Sequence, residues 1–176
     1  MAHHELNSTP PPALGSVLEF MRELWLMEHQ LASVSKRMQA DLGVTGLQRL
    51  VIRVIGKFPG LSAGDLSSIL YTHPSTLSGV LRRLEAANAI HRDTHPRDKR
   101  RVQLSLTAKG RKLDSLQEGT VEACVRRVLE SVPPARINNV GAVLRLLSAE
   151  LAKGFQLKSG ARVAAEVRRR TGRQRV

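Results

Sequence analysis

The residues of this chain best suited to chemistry lie on one face of a predicted helix over residues 74–87. At about 100° per residue, its apolar side chains share the face that must pack on a core. The opposite face is small, hydroxylated and basic, and it carries no acid. Hydroxyls can bond phosphate or base edges, and an arginine can pair with guanine or phosphate. The candidate DNA contacts are Pro74, Ser75, Thr76, Ser78, Gly79, Arg82 and Arg83.

A strongly basic segment follows that helix and lies between two short runs of strand-like alternation, residues 90–94 and 102–106. Its tip consists of Arg97, Asp98, Lys99, Arg100 and Arg101. A hairpin with four cations at its tip repels itself unless an anion lies beside it. We expect Asp98 to brace the loop through an arginine and Arg100 to enter the DNA minor groove, although the sequence leaves open which arginine does which.

The helices before this segment have clear start and stop signals. Helical spacing of apolar residues predicts a first helix from about Leu14 to Ala40, which Gly43 ends. Capping-box patterns open the second helix at Thr45 and the third at Ser62. Pro74 is suited to the first turn of a fourth helix, because its missing amide costs nothing there.

After the hairpin, Thr107 is expected to cap one long fifth helix that continues past Leu129. A sixth helix should begin at Pro133-Pro134 and continue to about Phe155, and the chain beyond Gly160 should be disordered on its own. The predicted fold is mainly α with a small β wing, a winged helix-turn-helix with six helices and an intertwined helical dimerisation region. The predicted divisions are a disordered leader (1–12), an N-terminal dimerisation helix (13–42), a winged helix-turn-helix DNA-binding lobe (43–107), C-terminal dimerisation helices (108–156) and a basic tail (157–176).

Composition favours a duplex nucleic acid as partner. The 176 residues carry a formal net charge of +13, and the last 24 hold eight lysines and arginines against one glutamate. Aromatic residues make up 3% of the chain, too few for the stacking platforms of single-strand binders. One cysteine excludes an internal disulfide, and the sequence shows no signal peptide or membrane-spanning run. We expect a cytoplasmic, nucleoid-associated protein without a membrane partner.

The order of motifs resembles the MarR family of winged-helix transcription regulators over about residues 17–155. Asp98 and Arg100 match the family's D-x-R wing pair, and Leu84-Glu85 matches a Leu-Glu near the recognition helix. Leu106-Thr107-Ala108-Lys109-Gly110 matches its Leu-Thr-x-x-Gly return. The chain departs from the pattern at His95, where an aspartate is usual, and at Ala89-Ile90, where Gly-Leu is common.

This resemblance implies a triangular homodimer in which helices one, five and six intertwine and a roughly palindromic operator is read. Apolar residues on helices five and six, in excess of what one small domain can cover, also favour a dimer. Many relatives release DNA when a small aromatic or anionic effector enters a cleft between the dimer helices and the DNA-binding lobe. The residues that could line such a cleft are Trp25, His29, Arg49 and Arg53, although core or solvated roles compete for each.

Three hypotheses compete with that of a sequence-specific regulator, most simply a repressor. A non-specific architectural DNA-binding protein would depend on the basic tail. An enzyme is disfavoured, because no phosphate loop, paired carboxylates or Ser-His-acid set is present. A sensor is disfavoured because Cys124 lies among valines and should be buried, and because His91 and His95 have no acidic cluster or cysteine to complete a metal site. We therefore expect neither a metal nor a cofactor.

Overall fold

The computed structural model describes residues 14–95 and 98–172, with side chains described for residues 14–94 and 102–153. The predicted leader and Arg97 lie outside the described residues. Internal contacts divide the chain into two units, one up to Ala123 and one from Cys124 onward. The elements in chain order are α1 (Ser16–Leu42), α2 (Gly46–Lys57), α3 (Ala63–Leu70), α4 (Pro74–Ala86), β1 (Ile90–His95), β2 (Asp98–Leu106), α5 (Ala108–Ser115), α6 (Val121–Ser131) and α7 (Pro134–Gly172).

The local signals in the sequence place the first helices correctly. Gly43 ends α1 in the left-handed conformation, with φ of 74°. The Thr45 hydroxyl accepts the Gln48 amide at 3.3 Å, and Gln48 Oε1 accepts the Thr45 amide at 2.8 Å. Ser62 and Asp65 form the same reciprocal pair at the start of α3. Both predicted capping boxes are confirmed.

One apolar core holds α2, α3, α4, the hairpin and α5 together. Strands β1 and β2 pair antiparallel, from Ile90 opposite Leu106 to Thr94 opposite Val102. Alternation along the hairpin turns Ile90, Leu104 and Leu106 into the core. The buried members of this core are Val44, Val51, Ile52, Ile55, Leu66, Leu77, Val80, Leu81, Leu84, Ala89, Ile90, Leu104, Leu106 and Leu113. The helices and hairpin therefore form the winged helix-turn-helix that the sequence predicts.

The predicted fifth helix is two helices, so the described residues contain seven helices instead of six. Helix α5 ends at Ser115, and α6 begins at Val121. Gly119 has a φ of 71°, which an α-helix cannot accommodate. Thr120 then accepts the Ala123 amide on its hydroxyl at 3.2 Å, as a helix cap does. The apolar spacing persists across this break, and this is why periodicity alone joined the two helices.

Helix α7 is longer than predicted and continues to Gly172 instead of ending near Phe155. The chain beyond Gly160, which we expected to be disordered, is therefore helical as far as the description extends. The sequence from residue 156 to 172 contains three alanines and no proline, and its arginines are also good helix formers. No helix among the described residues is both long and apolar enough to cross a membrane.

Cys124 is exposed, so the expectation of a buried thiol is wrong for the single chain. Among the residues of α6, Ala123 is the buried one, while Val125, Val128 and Leu129 are exposed like the cysteine. Trp25 on α1 is also exposed, at 61%, and does not belong to the core. Apolar spacing identified these helical faces correctly, but the single chain does not cover them.

Candidate nucleic-acid interface

Helix α4 has two faces of opposite character. Leu77, Val80, Leu81 and Leu84 are buried in the core, as predicted. The other face is open, and all but Gly79 of the seven predicted contact residues are exposed. A Cβ added to Gly79 would meet no atom within 4 Å, so the small side chain there is not required by packing. The open face is thus free to approach a large partner closely.

The start of α4 contains a residue that the sequence reasoning missed. His73 is the N-cap, and its Nδ1 lies 3.3 Å from the Ser75 amide and 2.8 Å from the Ser75 hydroxyl oxygen. Histidine is not among the usual capping residues, so no sequence rule would have selected it. Tyr71, in the turn before it, has a left-handed backbone with φ of 48° and a side chain that is 94% exposed.

The Leu84-Glu85 pair joins the end of α4 to the wing. Leu84 is fully buried, and Glu85 Oε1 accepts a hydrogen bond from Arg92 Nε on β1 at 2.8 Å. The acid nearest the open face of α4 is therefore engaged with a cation of the neighbouring strand. This ion pair holds the helix and the base of the hairpin together.

The Leu106 to Gly110 motif fixes the base of the wing from the other side. The Thr107 hydroxyl accepts the Gly110 amide at 3.0 Å and donates to the Asn88 carbonyl at 2.7 Å. Lys109 Nζ donates to the Ala87 carbonyl at 2.8 Å. Gly110 lies so close to Ala89 that an added Cβ would be 2.0 Å from the Ala89 carbonyl oxygen. Thr107, Lys109 and Gly110 thus each have a structural role in this motif.

Four of the predicted wing contacts, Asp98 to Arg101, form the start of β2, where Asp98 pairs with His95 on β1. Arg97 is outside the described residues, and the side chains of Asp98, Lys99, Arg100 and Arg101 are not described. The hairpin backbone places this basic segment directly after α4, as predicted. The individual roles of its side chains remain predictions.

Two of the predicted effector residues are held by groups of the protein itself. Arg49 is 1% exposed, and its Nε donates to Glu122 Oε1 at 2.5 Å while Nη2 donates to the Asp114 and Leu116 carbonyls. Arg53 pairs with Asp114 Oδ1 at 2.7 Å and is 43% exposed. Trp25 and His29 are exposed residues of α1. An effector role for these four residues remains a prediction.

The described residues contain no cluster of three or more histidine, cysteine or acidic side chains that could hold a metal ion. His91 Nε2 contacts Asp93 Oδ2 at 2.9 Å, and the Ser105 hydroxyl donates to the same carboxylate at 2.5 Å. These three side chains form a polar network on the solvent side of the hairpin. The side chain of His95 lies outside the described residues.

Solved structures resemble this chain in fold. The Staphylococcus aureus MepR–DNA complex matches with a TM-score of 0.64 and 18% identity, over 78% of this chain and 99% of MepR. The Streptococcus pneumoniae FabT–DNA complex matches with a TM-score of 0.60 and 23% identity over the same shares of the two chains. Together with the core and hairpin described above, these matches identify the protein as a winged-helix protein.

Sequence comparison relates one segment of the chain to a known family. The model of the MarR family matches residues 42–101, the segment from the end of α1 to the wing. The HTH-type transcriptional repressor Mb2911 of Mycobacterium bovis is 35% identical over 90 residues, which are 51% of this chain. The match spans 65% of the length of that repressor. The predicted resemblance is confirmed, and residues 42–101 form a MarR-family domain.

Proposed function

We propose that this protein is a sequence-specific regulator of transcription that binds double-stranded DNA as a homodimer and acts as a repressor. The observation that carries the proposal is the open face of α4, which presents Ser75, Ser78 and Arg82 while the opposite face is buried. A helix of this kind, followed by a basic hairpin, suits the major groove, with the hairpin on the flanking backbone and minor groove.

The names of similar proteins support this function. Mb2911 is named a transcriptional repressor, and MepR and FabT were each solved in complex with DNA. The net charge of +13 supports a polyanionic partner. Repression is the proposed direction of regulation because it is the activity named for Mb2911.

The homodimer is supported by apolar side chains that the single chain leaves exposed. On α1 and just before it they include Leu14, Val17, Leu18, Phe20, Met21, Trp25, Leu26, Met27 and Leu31. On α6 and α7 they include Val125, Val128, Leu129, Val140, Val143, Leu146 and Leu151. Exposed apolar surface of this extent is typical of helices that another chain covers.

The protein is expected to sediment as a particle of about twice its 19.4 kDa chain mass, because covering these helices requires a second copy. Trp25→Asp should shift the equilibrium towards monomer, since a carboxylate would be buried in the interface. Glu28→Asp, which keeps a charge on the same helix, is the matched control. A wild-type monomer at the concentrations used for DNA binding would contradict the dimer.

Arg82→Ala is expected to reduce the preference for the operator over random duplex by about 1–3 kcal/mol, roughly 5- to 150-fold. The reason is that it removes a guanidinium group able to form two hydrogen bonds with a guanine. The operator is first selected from a random duplex pool, and affinities are then measured by fluorescence anisotropy. Lys112→Ala removes the same charge from an exposed position on α5 and should leave the preference intact. An unchanged preference in Arg82→Ala would contradict the assignment of this face.

A non-specific architectural protein is the second candidate, and the basic composition of residues 157–176 favours it. Deleting residues 158–176 should weaken binding to all duplexes alike and flatten the dependence on salt. A regulator would keep its preference for the operator, of about 10³-fold or more over random duplex. Failure of the selection to yield any preferred sequence would favour the architectural function.

A further inference from the structure

The contact between His73 and Ser75 at the start of α4 indicates which bases this helix can read. We infer that His73 fixes the Ser75 hydroxyl as a hydrogen-bond acceptor, so that this position of α4 selects a base that presents an amino group in the major groove. The inference rests on the proposed DNA-binding function. It concerns which bases are read, and His73 acts as a positioning residue through Ser75.

The tautomer of His73 is assigned from its bond to the Ser75 amide. The Ser75 backbone amide lies 3.3 Å from Nδ1, and an amide N–H can only donate. Nδ1 must therefore carry a lone pair, which places the ring proton on Nε2. The Ser75 hydroxyl oxygen lies 2.8 Å from the same Nδ1. Because Nδ1 can only accept, the single hydroxyl proton of Ser75 must point towards the ring.

This geometry changes what Ser75 can offer to DNA. A free serine hydroxyl can donate to a phosphate, a guanine or a thymine, or accept from an adenine or a cytosine. With its proton directed to His73, the Ser75 oxygen keeps only lone pairs for a partner. Phosphate oxygens and the keto oxygens of guanine and thymine have no proton to give. Its partners in the major groove are thus the N6 amino group of adenine and the N4 amino group of cytosine.

The location of the pair suits such a role. Ser75 is exposed and is the second residue of α4, and the first residues of a recognition helix are those that contact base edges. Pro74 at the first position has no amide proton, so the Ser75 amide is the first donor of the helix. Asparagine, aspartate or serine would cap this amide equally well. The His73 ring differs because it also engages the neighbouring hydroxyl.

The test compares His73→Asn, Ser75→Ala and the double variant on operators in which each base pair is inverted in turn. Inversion moves the amino group to the other strand without changing composition. The wild type should lose affinity about 5- to 150-fold at one pair per half-site, where the contacted base is adenine or cytosine. Ser75→Ala should lose that preference. His73→Asn keeps the cap but frees the hydroxyl proton, so both orientations should be bound within about threefold, a small difference on the affinity scale.

The double variant should behave like Ser75→Ala, because His73 acts through the hydroxyl. Thermal melting verifies that each variant is folded, and His73→Ser replaces His73→Asn if the latter is not. The inference is overturned if Ser75→Ala leaves every position unchanged, if the capped His73 variants keep the wild-type preference, or if the favoured base is guanine or thymine. Failure of the proposed function would appear earlier, in a wild-type protein that selects no operator.

Discussion

Gly110→Ala is expected to lower the free energy of unfolding by about 3–5 kcal/mol, a large part of the stability of an ordinary domain. The added Cβ would lie 2.0 Å from the Ala89 carbonyl oxygen and 3.0 Å from the Ala89 carbonyl carbon. Both are backbone atoms, so no side-chain rotation can relieve the overlap. The Ala89 carbonyl also accepts the Thr107 amide at 3.1 Å, and this bond would be strained by any retreat of α5.

The measurement is urea denaturation followed by circular dichroism, with Gly79→Ala as the matched control. Gly79 is also helical, but an added Cβ there meets nothing within 4 Å. Alanine at this position should therefore raise the free energy of unfolding by about 0.5–1 kcal/mol through helix propensity alone. If Gly110→Ala were as stable as the wild type, the close approach of α5 to Ala89 would be refuted.

Arg49→Met is expected to lower the free energy of unfolding by about 2–4 kcal/mol, because it removes a buried cation that bonds a half-exposed carboxylate and two backbone carbonyls. Glu122, whose side chain is 31% exposed, would lose its cation, the Leu116 carbonyl would lose this donor, and the Asp114 carbonyl would keep only its bond from Arg53 Nη1. Methionine keeps much of the side-chain volume, so the decrease in the free energy of unfolding measures the lost polar contacts more than the creation of a cavity. The Nη1 atom of Arg49 is already buried without a partner, which reduces the net stability of the wild-type arrangement.

Arg53→Met provides the control for this second prediction. Arg53 also lies on α2 and also bonds Asp114, but it is 43% exposed. An exposed ion pair is worth about 0–1 kcal/mol, so this variant should remain close to the wild type. Equal losses in the two variants would show that burial does not set the strength of these contacts. Chemical denaturation of both proteins under the same conditions makes the comparison.

The parts of the fold that depend on neighbouring residues could be predicted from the sequence. Capping boxes at Thr45 and Ser62, the two faces of α4 and the hairpin all follow from local patterns. The break between α5 and α6 was missed, since apolar spacing continues across Gly119. The burial of Arg49 could not be predicted, because its partners lie 65 to 73 residues away along the chain.

In the candidate site too, features set by neighbouring residues could be predicted, and features set by contacts in the folded chain could not. The open residues of α4 were found because amphipathic spacing identifies a helical face without any knowledge of the fold. The role of His73 was missed because it depends on the orientation of one ring towards the next turn. The sequence showed that Leu84-Glu85 and Gly110 belong to motifs. Why those residues are needed became clear only from the structure, in which Glu85 pairs with Arg92 and Gly110 packs against Ala89.

The ties among α4, the base of the hairpin and α5 have a further consequence. Glu85 is joined to Arg92, while Lys109 and Thr107 hold the carbonyls of Ala87 and Asn88. The end of α4 and the segment after it are thus bonded to β1 on one side and to the start of α5 on the other. Helix α4 cannot move along its axis without breaking these bonds. For the proposed regulator, the offset between α4 and the base of the wing is then a fixed length of the protein. New target sites would have to arise by exchange of bases, because insertions or deletions would put the contacts of α4 and the wing out of phase.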